Sequence, residues 1–266
     1  MQLEPTNFSE MPNMPPANAI ARAKMAMLNF YTEKPIISKL ESPVVSFSFD
    51  DFPKSAATIG AKIMQDAGIA ATYYLTGSNC QKNFENIAQF DAEDVERLHD
   101  AGHEIACHSY AHPRLRGRTQ SEIDADLSQN LVFAQKLLGP DFQFQSFAYP
   151  YGEFDAFSRK IMGKKFQTAR GVYRGVNKGV MDFANLKTVP LEKRRYSKQY
   201  LDKYIEEAIR ANGWIIFFTH DVAEDCTQYG STPAILLETI ETVQAANIEI
   251  LTVKKAARKI MAACQS

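Results

Sequence analysis

From residue 44 onward, short β-rich runs alternate with stretches whose apolar residues recur at helical spacing. That rhythm is the signature of βα units around a parallel sheet. The clearest strands are expected at 44–49, 71–75, 104–107, 145–148, 166–169, 214–219 and 249–251. Helices are expected at 55–67, where Ile59, Ile63 and Met64 share a helical face, and at 92–101, 121–138, 198–211, 232–246 and 253–263. Gly68, Gly102 and Gly139 mark helix ends. The regular alternation favours a distorted (β/α) barrel of about seven parallel strands over an open sheet, with active groups gathered at the C-terminal strand ends. No Gly-x-Gly-x-x-Gly turn follows the first strand, which counts against a dinucleotide fold.

Before this pattern, residues 1–42 are rich in Pro, Asn and Met, with a weakly helical stretch at 19–29. They read as an N-terminal arm packing on the barrel formed by 43–266. Thirty basic and thirty-one acidic side chains give a net charge of −1, so no global field draws the protein to nucleic acid or to an anionic membrane. Small or neutral polymeric substrates fit this balance better. Cys80, Cys107, Cys226 and Cys264 form no CxxC pair and are expected to remain thiols. No window has the length and apolarity of a membrane helix or of a signal-peptide core, from which a cytoplasmic location is expected.

Three expected strands run directly into ionisable residues: 44–49 into Asp50 and Asp51, 104–107 into His108, and 214–219 into His220 and Asp221. Adjacent carboxylates on a regular strand face opposite sides, so Asp50 and Asp51 share one site only where the strand turns, and Phe52-Pro53 supplies a turn. An aspartate cap on the following helix is the alternative. His108 and His112 are four residues apart, so one helical turn would bring both imidazoles to one face; a surface pair is the alternative. One carboxylate and two imidazoles make the open three-ligand set of a catalytic zinc. Cobalt, manganese and nickel accept the same mixed N/O donors. His99 and His103 flank a turn and look structural.

Taken in order, the segments Ser48-Phe49-Asp50-Asp51, His108-Ser109-Tyr110-Ala111-His112, Ala148-Tyr149-Pro150-Tyr151-Gly152 and Phe218-Thr219-His220-Asp221 resemble the motifs of the polysaccharide deacetylase family, which includes NodB-type chitooligosaccharide deacetylases. The resemblance spans roughly residues 43–255. It implies Asp51, His108 and His112 as ligands of one divalent cation, Asp50 as base, His220 as acid and the Tyr151 N–H as oxyanion donor. Tyr149, Pro150, Arg170 and Trp214 are expected to border the substrate. The implied substrate is an N-acylated amino sugar, oligosaccharide or sugar-bearing lipid. A cyclic amide or ureide is the second possibility, and a silent sugar-binding module the third. The sequence departs from the family at Ala148, which stands where an arginine usually orients the base and leaves Arg170 or Arg174 as substitutes. No match to the family's Asp-Trp motif occurs between residues 172 and 196.

Overall fold

Strand β2, Val44–Asp50, has every residue buried, yet its sequence VVSFSFD alternates in character. Successive side chains leave opposite faces. Val45, Phe47 and Phe49 join the large apolar cluster, as do Tyr73 and Leu75 of β3 (Thr72–Leu75), Ile105 and Cys107 of β6 (Glu104–Cys107), Phe147 of β7 (Ser146–Ala148) and Ile215 and Phe217 of β11 (Trp214–Thr219). This face carries the helices. The other face holds Ser46, Ser48, Asp50, Thr72, Tyr74, Glu104, Ser146 and Arg170, a buried and largely polar interior.

These strands close into a barrel of seven. The order is β11-β10-β8-β7-β6-β3-β2, with β8 spanning Thr168–Arg174 and β10 Leu186–Pro190, and β11 pairs back to β2 from Trp214↔Val44 to Thr219↔Phe49. Every barrel pairing is parallel. The expected barrel is therefore present, with two changes of membership. The strand expected at 249–251 is β12, Glu249–Ile250, a short addition beside the start of β2. Its place in the ring belongs to β10, whose sequence LKTVP offers few apolar positions and ends in Pro190. The strand expected at 166–169 begins two residues later and continues to Arg174.

The structure, a computed structural model, describes residues 32–84 and 86–265. The expected arm at 1–42, including its helical stretch at 19–29, lies outside the described residues up to 31. Of the remainder, β1 (Pro35–Ile37) pairs antiparallel with β9 (Val180–Asp182), and the Glu33 and Lys34 N–H groups donate to the Asp182 carboxylate. Asn83–Phe84 and Ile87–Ala88 form the small hairpin β4–β5.

All but one of the described helices fall near their expected places; the helix at Ala156–Lys165, between β7 and β8, was not expected. They are α1 (Ala61–Asp66), α2 (Ala92–Asp100), α3 (Gln120–Leu138), α4 (Ala156–Lys165), α5 (Lys198–Ala211), α6 (Pro233–Ala245) and α7 (Val253–Gln265). Reciprocal caps at Asp91/Asp94, Thr119/Glu122 and Asp155/Ser158 fix the starts of α2, α3 and α4. Gly68, Gly102 and Gly139 have φ of 69°, 84° and 97°, the left-handed region that glycine enters without a Cβ penalty. A π-helical turn, Ala56–Gly60, precedes α1, and it rotates Ile59 out to 42% exposure although 3.6-residue periodicity places it inward. No described helix is long and apolar enough to cross a membrane. All four cysteines are free thiols.

His103 takes the structural role expected of it. Its Nδ1 accepts the Ala71 N–H at 3.0 Å just before β3 and β6 begin, and burial pushes the imidazole down from 6.5 to about 4. The folded state thus holds His103 neutral, whereas the unfolded chain protonates it near 6.5. Its contribution to stability is complete above that value and is lost as pH falls toward 4, a loss on the order of 3 kcal/mol in total. Urea unfolding at pH 7 and pH 5 checks this. The native chain should lose more stability than His103→Gln between the two; equal losses would contradict it.

Candidate active site

At the top of β2 the backbone reverses within two residues. Asp51 and Phe52 have φ of 54° and 28°, and the Phe52 N–H donates to the Asp50 carbonyl at 2.5 Å. The reversal falls one residue before Phe52-Pro53, and it is what lets adjacent carboxylates serve one pocket. Both are buried, at 3% and 1% exposure. Asp51 Oδ1 accepts from Thr76 Oγ1 at 2.7 Å and from Asn79 Nδ2 at 3.2 Å, so the carboxylate is pinned by the segment after β3. An aspartate cap is excluded, because Ser55 occupies the cap position and makes no side-chain cap bond.

His108 and His112 do come together, on a loop instead of a helical turn. Ser109 and His112 have φ of 68° and 51°, and the Asp126 carboxylate of α3 accepts the Tyr110 and Ala111 N–H groups at 2.8 and 2.9 Å. The two Nε2 atoms lie 3.2 Å apart, and His112 Nε2 lies 3.7 Å from Asp51 Oδ2. One ligand atom from each of the three residues falls within a 4.8 Å cluster, the group among the described residues able to hold a metal ion.

The donor set fits a divalent cation. Two nitrogens about 2.05 Å from a tetrahedral metal are about 3.3 Å apart, close to the spacing seen here. His108 Nδ1 lies 2.8 Å from the Ala148 carbonyl, which only accepts, so Nδ1 carries the proton and Nε2 presents a lone pair. Burial pushes His112 down to about 4 and keeps it neutral. Burial alone would push Asp51 up; the His112, His108 and His220 imidazoles and the Thr76 hydroxyl outweigh it and hold the carboxyl below its usual value. An anion between two bare imidazole nitrogens is complementary to a cation.

Asp50 faces the other side of this pocket and forms a buried ion pair with Arg170 of β8. Arg170 is 1% exposed, and its guanidinium lies 4.3 Å from the Tyr74 ring centroid and 5.2 Å from that of Phe218. In the β7–β8 register Arg170 is the direct partner of Ala148. A guanidinium from the adjacent strand thus fills the interior space that the small Ala148 leaves open. Arg174, the other substitute considered, sits at the exposed end of β8 and lines the pocket mouth.

His220 completes the pocket from β11. Its ring packs against Phe218 and Tyr229 at 6.3 and 5.6 Å, and its Nδ1 is buried without a hydrogen-bond partner among the described residues. Asp221 turns away, accepting from the Thr227 N–H at 2.8 Å and the Thr227 hydroxyl at 2.6 Å, and braces the loop. In the turn after β7, Tyr151 has φ of 58° and packs at a tilt against the His112 ring at 4.5 Å, with the Arg114 guanidinium 4.2 Å from its ring centroid. Gly152 follows at φ 65°, and any Cβ there would meet Val172 Cγ2 at 2.1 Å. Pro150 is buried in this turn and shapes it without lining the pocket.

Of the expected substrate contacts, Trp214 is a core residue, whereas Tyr149 lines the pocket from its buried floor. Trp214 is fully buried at the start of β11, about 20 Å of strand below His220, packed with Val44, Phe183 and Val253 and donating its indole N–H to Ser46 Oγ at 3.0 Å. Its apolar neighbours in sequence gave no sign of which strand end it occupies. Tyr149 is 1% exposed at the pocket floor, with its hydroxyl donating to the Ala184 carbonyl at 2.8 Å. In the other direction, Thr76, Asn79 and Asp126 went unread because their side chains act on ligands distant in sequence. Glu192, Arg194 and Arg195 also line the pocket. They follow β10, the strand with the weakest apolar pattern.

The polysaccharide deacetylase family matches this chain over residues 38–167, a stretch that runs from just before β2 through the Asp50-Asp51, His108/His112 and Tyr149–Gly152 segments. These residues belong to the polysaccharide deacetylase family. Within it, the chain is 27% identical over 131 residues to chitin deacetylase 1 of Cryptococcus neoformans var. grubii, covering 48% of this chain and 25% of that protein. The chain thus matches about a quarter of the length of that curated relative. Among solved structures it resembles a peptidoglycan N-acetylglucosamine deacetylase, with TM-score 0.60 and 16% identity over 83% of this chain and 90% of the other. It also resembles a family 4 acetyl xylan esterase from Clostridium thermocellum in complex with a cobalt ion, with TM-score 0.56 and 20% identity over 80% and 89%. At these identities the structural likeness shows the shared barrel.

Proposed function

We propose that this protein is a metal-dependent hydrolase that removes an N-acyl group, N-acetyl in the simplest case, from an amino sugar or a sugar-bearing molecule. The observation that carries the proposal is the convergence at one barrel end of an Asp51/His108/His112 ligand set, a buried Asp50–Arg170 pair and His220. Family membership and the deacetylase activity named for chitin deacetylase 1 support the reaction class. Zinc is the proposed ion on its affinity for mixed imidazole and carboxylate donors. The acetyl xylan esterase with its cobalt ion supports a divalent cation in this type of barrel.

A cation held by Asp51, His108 and His112 would polarise the acyl carbonyl and acidify the attacking water. Asp50, paired with Arg170, would accept the proton of that water. The Tyr151 N–H is assigned to the oxyanion that forms as water adds to the carbonyl carbon. His220 donates a proton to the nitrogen as the C–N bond breaks, releasing a free amine and a short carboxylic acid. Balance is complete: one water enters, and one acid and one amine leave.

Product analysis tests this reading. Incubation with N-acetylated mono- and oligosaccharides should release acetate and an equal amount of primary amine. Ring opening of a cyclic amide or ureide without acetate would replace it by the second reaction class, and stoichiometric zinc binding with no product from either panel would leave a sugar-binding module. His220→Ala should lower acetate release by roughly 10²-fold or more while zinc content stays unchanged. An unaltered rate would remove His220 from the mechanism.

A further inference from the structure

Below Asp50 the barrel interior holds polar atoms that the hydrolytic step does not use. Tyr74 Oη, Glu104 Oε1, Ser146 Oγ, Thr168 Oγ1 and Arg170 Nε are all buried, and none completes a hydrogen bond among the described residues. The strand registers stack them. Ala148 pairs with Arg170 and Ser146 with Thr168, and the Cys107↔Phe147 pair sets Glu104 below the level of Ser146, so the column rises from Glu104 through Ser146 and Thr168 to Arg170. Its lower end is fixed. Glu104 Oε2 accepts from the Thr72 hydroxyl at 3.0 Å and from the Lys254 N–H at 2.8 Å, in the first turn of α7, where the helix dipole favours a carboxylate. Burial pushes the Glu104 carboxyl up, and the Lys254 N–H and the Ser146 and Thr72 hydroxyls pull against it. Ser146 thus stands beside Glu104, although neither Ser146 Oγ nor Glu104 Oε1 reaches hydrogen-bond geometry. At the upper end the Arg170 guanidinium lies over the Tyr74 ring and pairs with Asp50.

Buried donors and acceptors in native proteins are satisfied by protein groups or by ordered water. Arg170 Nε only donates, a carboxylate oxygen only accepts, and the hydroxyls between them do both. One chain of consistent direction can therefore run from the guanidinium down to Glu104. We propose that Glu104 is a positioning residue for the hydrolysis: through Ser146 and Thr168, bridged by ordered water, it fixes the Arg170 guanidinium and with it the place of Asp50 over the pocket. The proposal rests on the hydrolase reading for the role of Asp50. It gives a part in the reaction to a carboxylate about 13 Å of strand below His108. Glu104 is 1% exposed and does not line the pocket, so it acts through Arg170 and not on the substrate.

Steady-state acetate release by the zinc-loaded full chain, paired with urea unfolding, tests it on the native chain, Glu104→Gln, Arg170→Met and the double variant. Glutamine keeps the shape and the oxygen that Thr72 and Lys254 hold, but puts an NH2 donor where the chain needs an acceptor. Glu104→Gln should lower kcat on the order of tenfold, with KM within about twofold and zinc still at one ion per chain. In the Arg170→Met background the same change should cost less than about twofold in kcat, and the two losses of stability should likewise fall short of additivity. Ser146→Ala and Thr168→Val cut the chain without touching the carboxyl and should each lower kcat in the same way; they decide the matter where Glu104→Gln does not fold. Native kcat in Glu104→Gln overturns the proposal, as does a loss of equal size in both backgrounds, which is what a merely structural carboxylate would give. Non-additive unfolding in a chain that releases no acetate sinks the hydrolase reading alone, while hydrolysis with additive losses sinks this inference alone.

Discussion

Arg170→Met is expected to lower kcat by roughly 10²- to 10³-fold while changing KM little, because the lost group acts on the base and not on the substrate. Arg170 compensates Asp50 in a pocket where both are almost fully buried. Removing it leaves a carboxylate buried without its counter-charge and without the group that fixes its position over the pocket. The barrel interior gives this prediction a second arm. Ala148 is the register partner of Arg170, so Ala148→Arg in an Arg170→Ala background offers a guanidinium from the neighbouring strand to the same carboxylate. Partial recovery of kcat in the double variant marks a positioning role that a merely structural arginine would not show. Full activity in Arg170→Met, measured as initial acetate release, would contradict the assignment.

The second large effect concerns the metal ligands. His108→Ala with His112→Ala should reduce zinc content from one ion per chain to background and acetate release by at least about 10³-fold, since the remaining Asp51 cannot hold the cation alone. Circular dichroism should remain that of the native barrel, because both imidazoles lie on a loop whose anchor is the Asp126 carboxylate. His99→Ala, at a partly exposed histidine outside the ligand set, should leave metal content and rate unchanged. Elemental analysis alone decides the first part: undiminished zinc in the double variant would place the ion elsewhere.

Much of this architecture was legible because a parallel barrel writes itself into its sequence. Runs such as 214–219 are apolar throughout, the chemistry follows directly at their C-terminal ends, and the helices are spaced by capping residues and terminal glycines. What stayed hidden depends on three-dimensional closure. Strand β10 was overlooked because Leu186-Lys187-Thr188-Val189-Pro190 takes its place by pairing with β8 and β11, and that selection is tertiary. Its loss concealed the Glu192/Arg194/Arg195 wall that follows it.

Local conformation also misled at two sites. Four-residue spacing suggested a helical turn for His108 and His112, but two left-handed residues and an external carboxylate produce the same convergence on a loop. Trp214 read as an aromatic wall because sequence does not say how far a residue stands from the strand end that bears the site. By contrast, the arginine absent at Ala148 was a correct signal, and a register pair supplies the answer: the interior volume released by alanine on β7 is filled by Arg170 from β8.

A metal titration of the chelator-stripped protein tests the central claim most directly. Acetate release from an N-acetylated amino sugar or oligosaccharide should begin near zero, rise linearly with added zinc and break at one equivalent per chain. Acetate release that is already complete in the stripped protein, or none at any zinc level on neutral and acidic N-acetyl sugars alike, would contradict a metal-dependent deacetylase built on Asp51, His108 and His112.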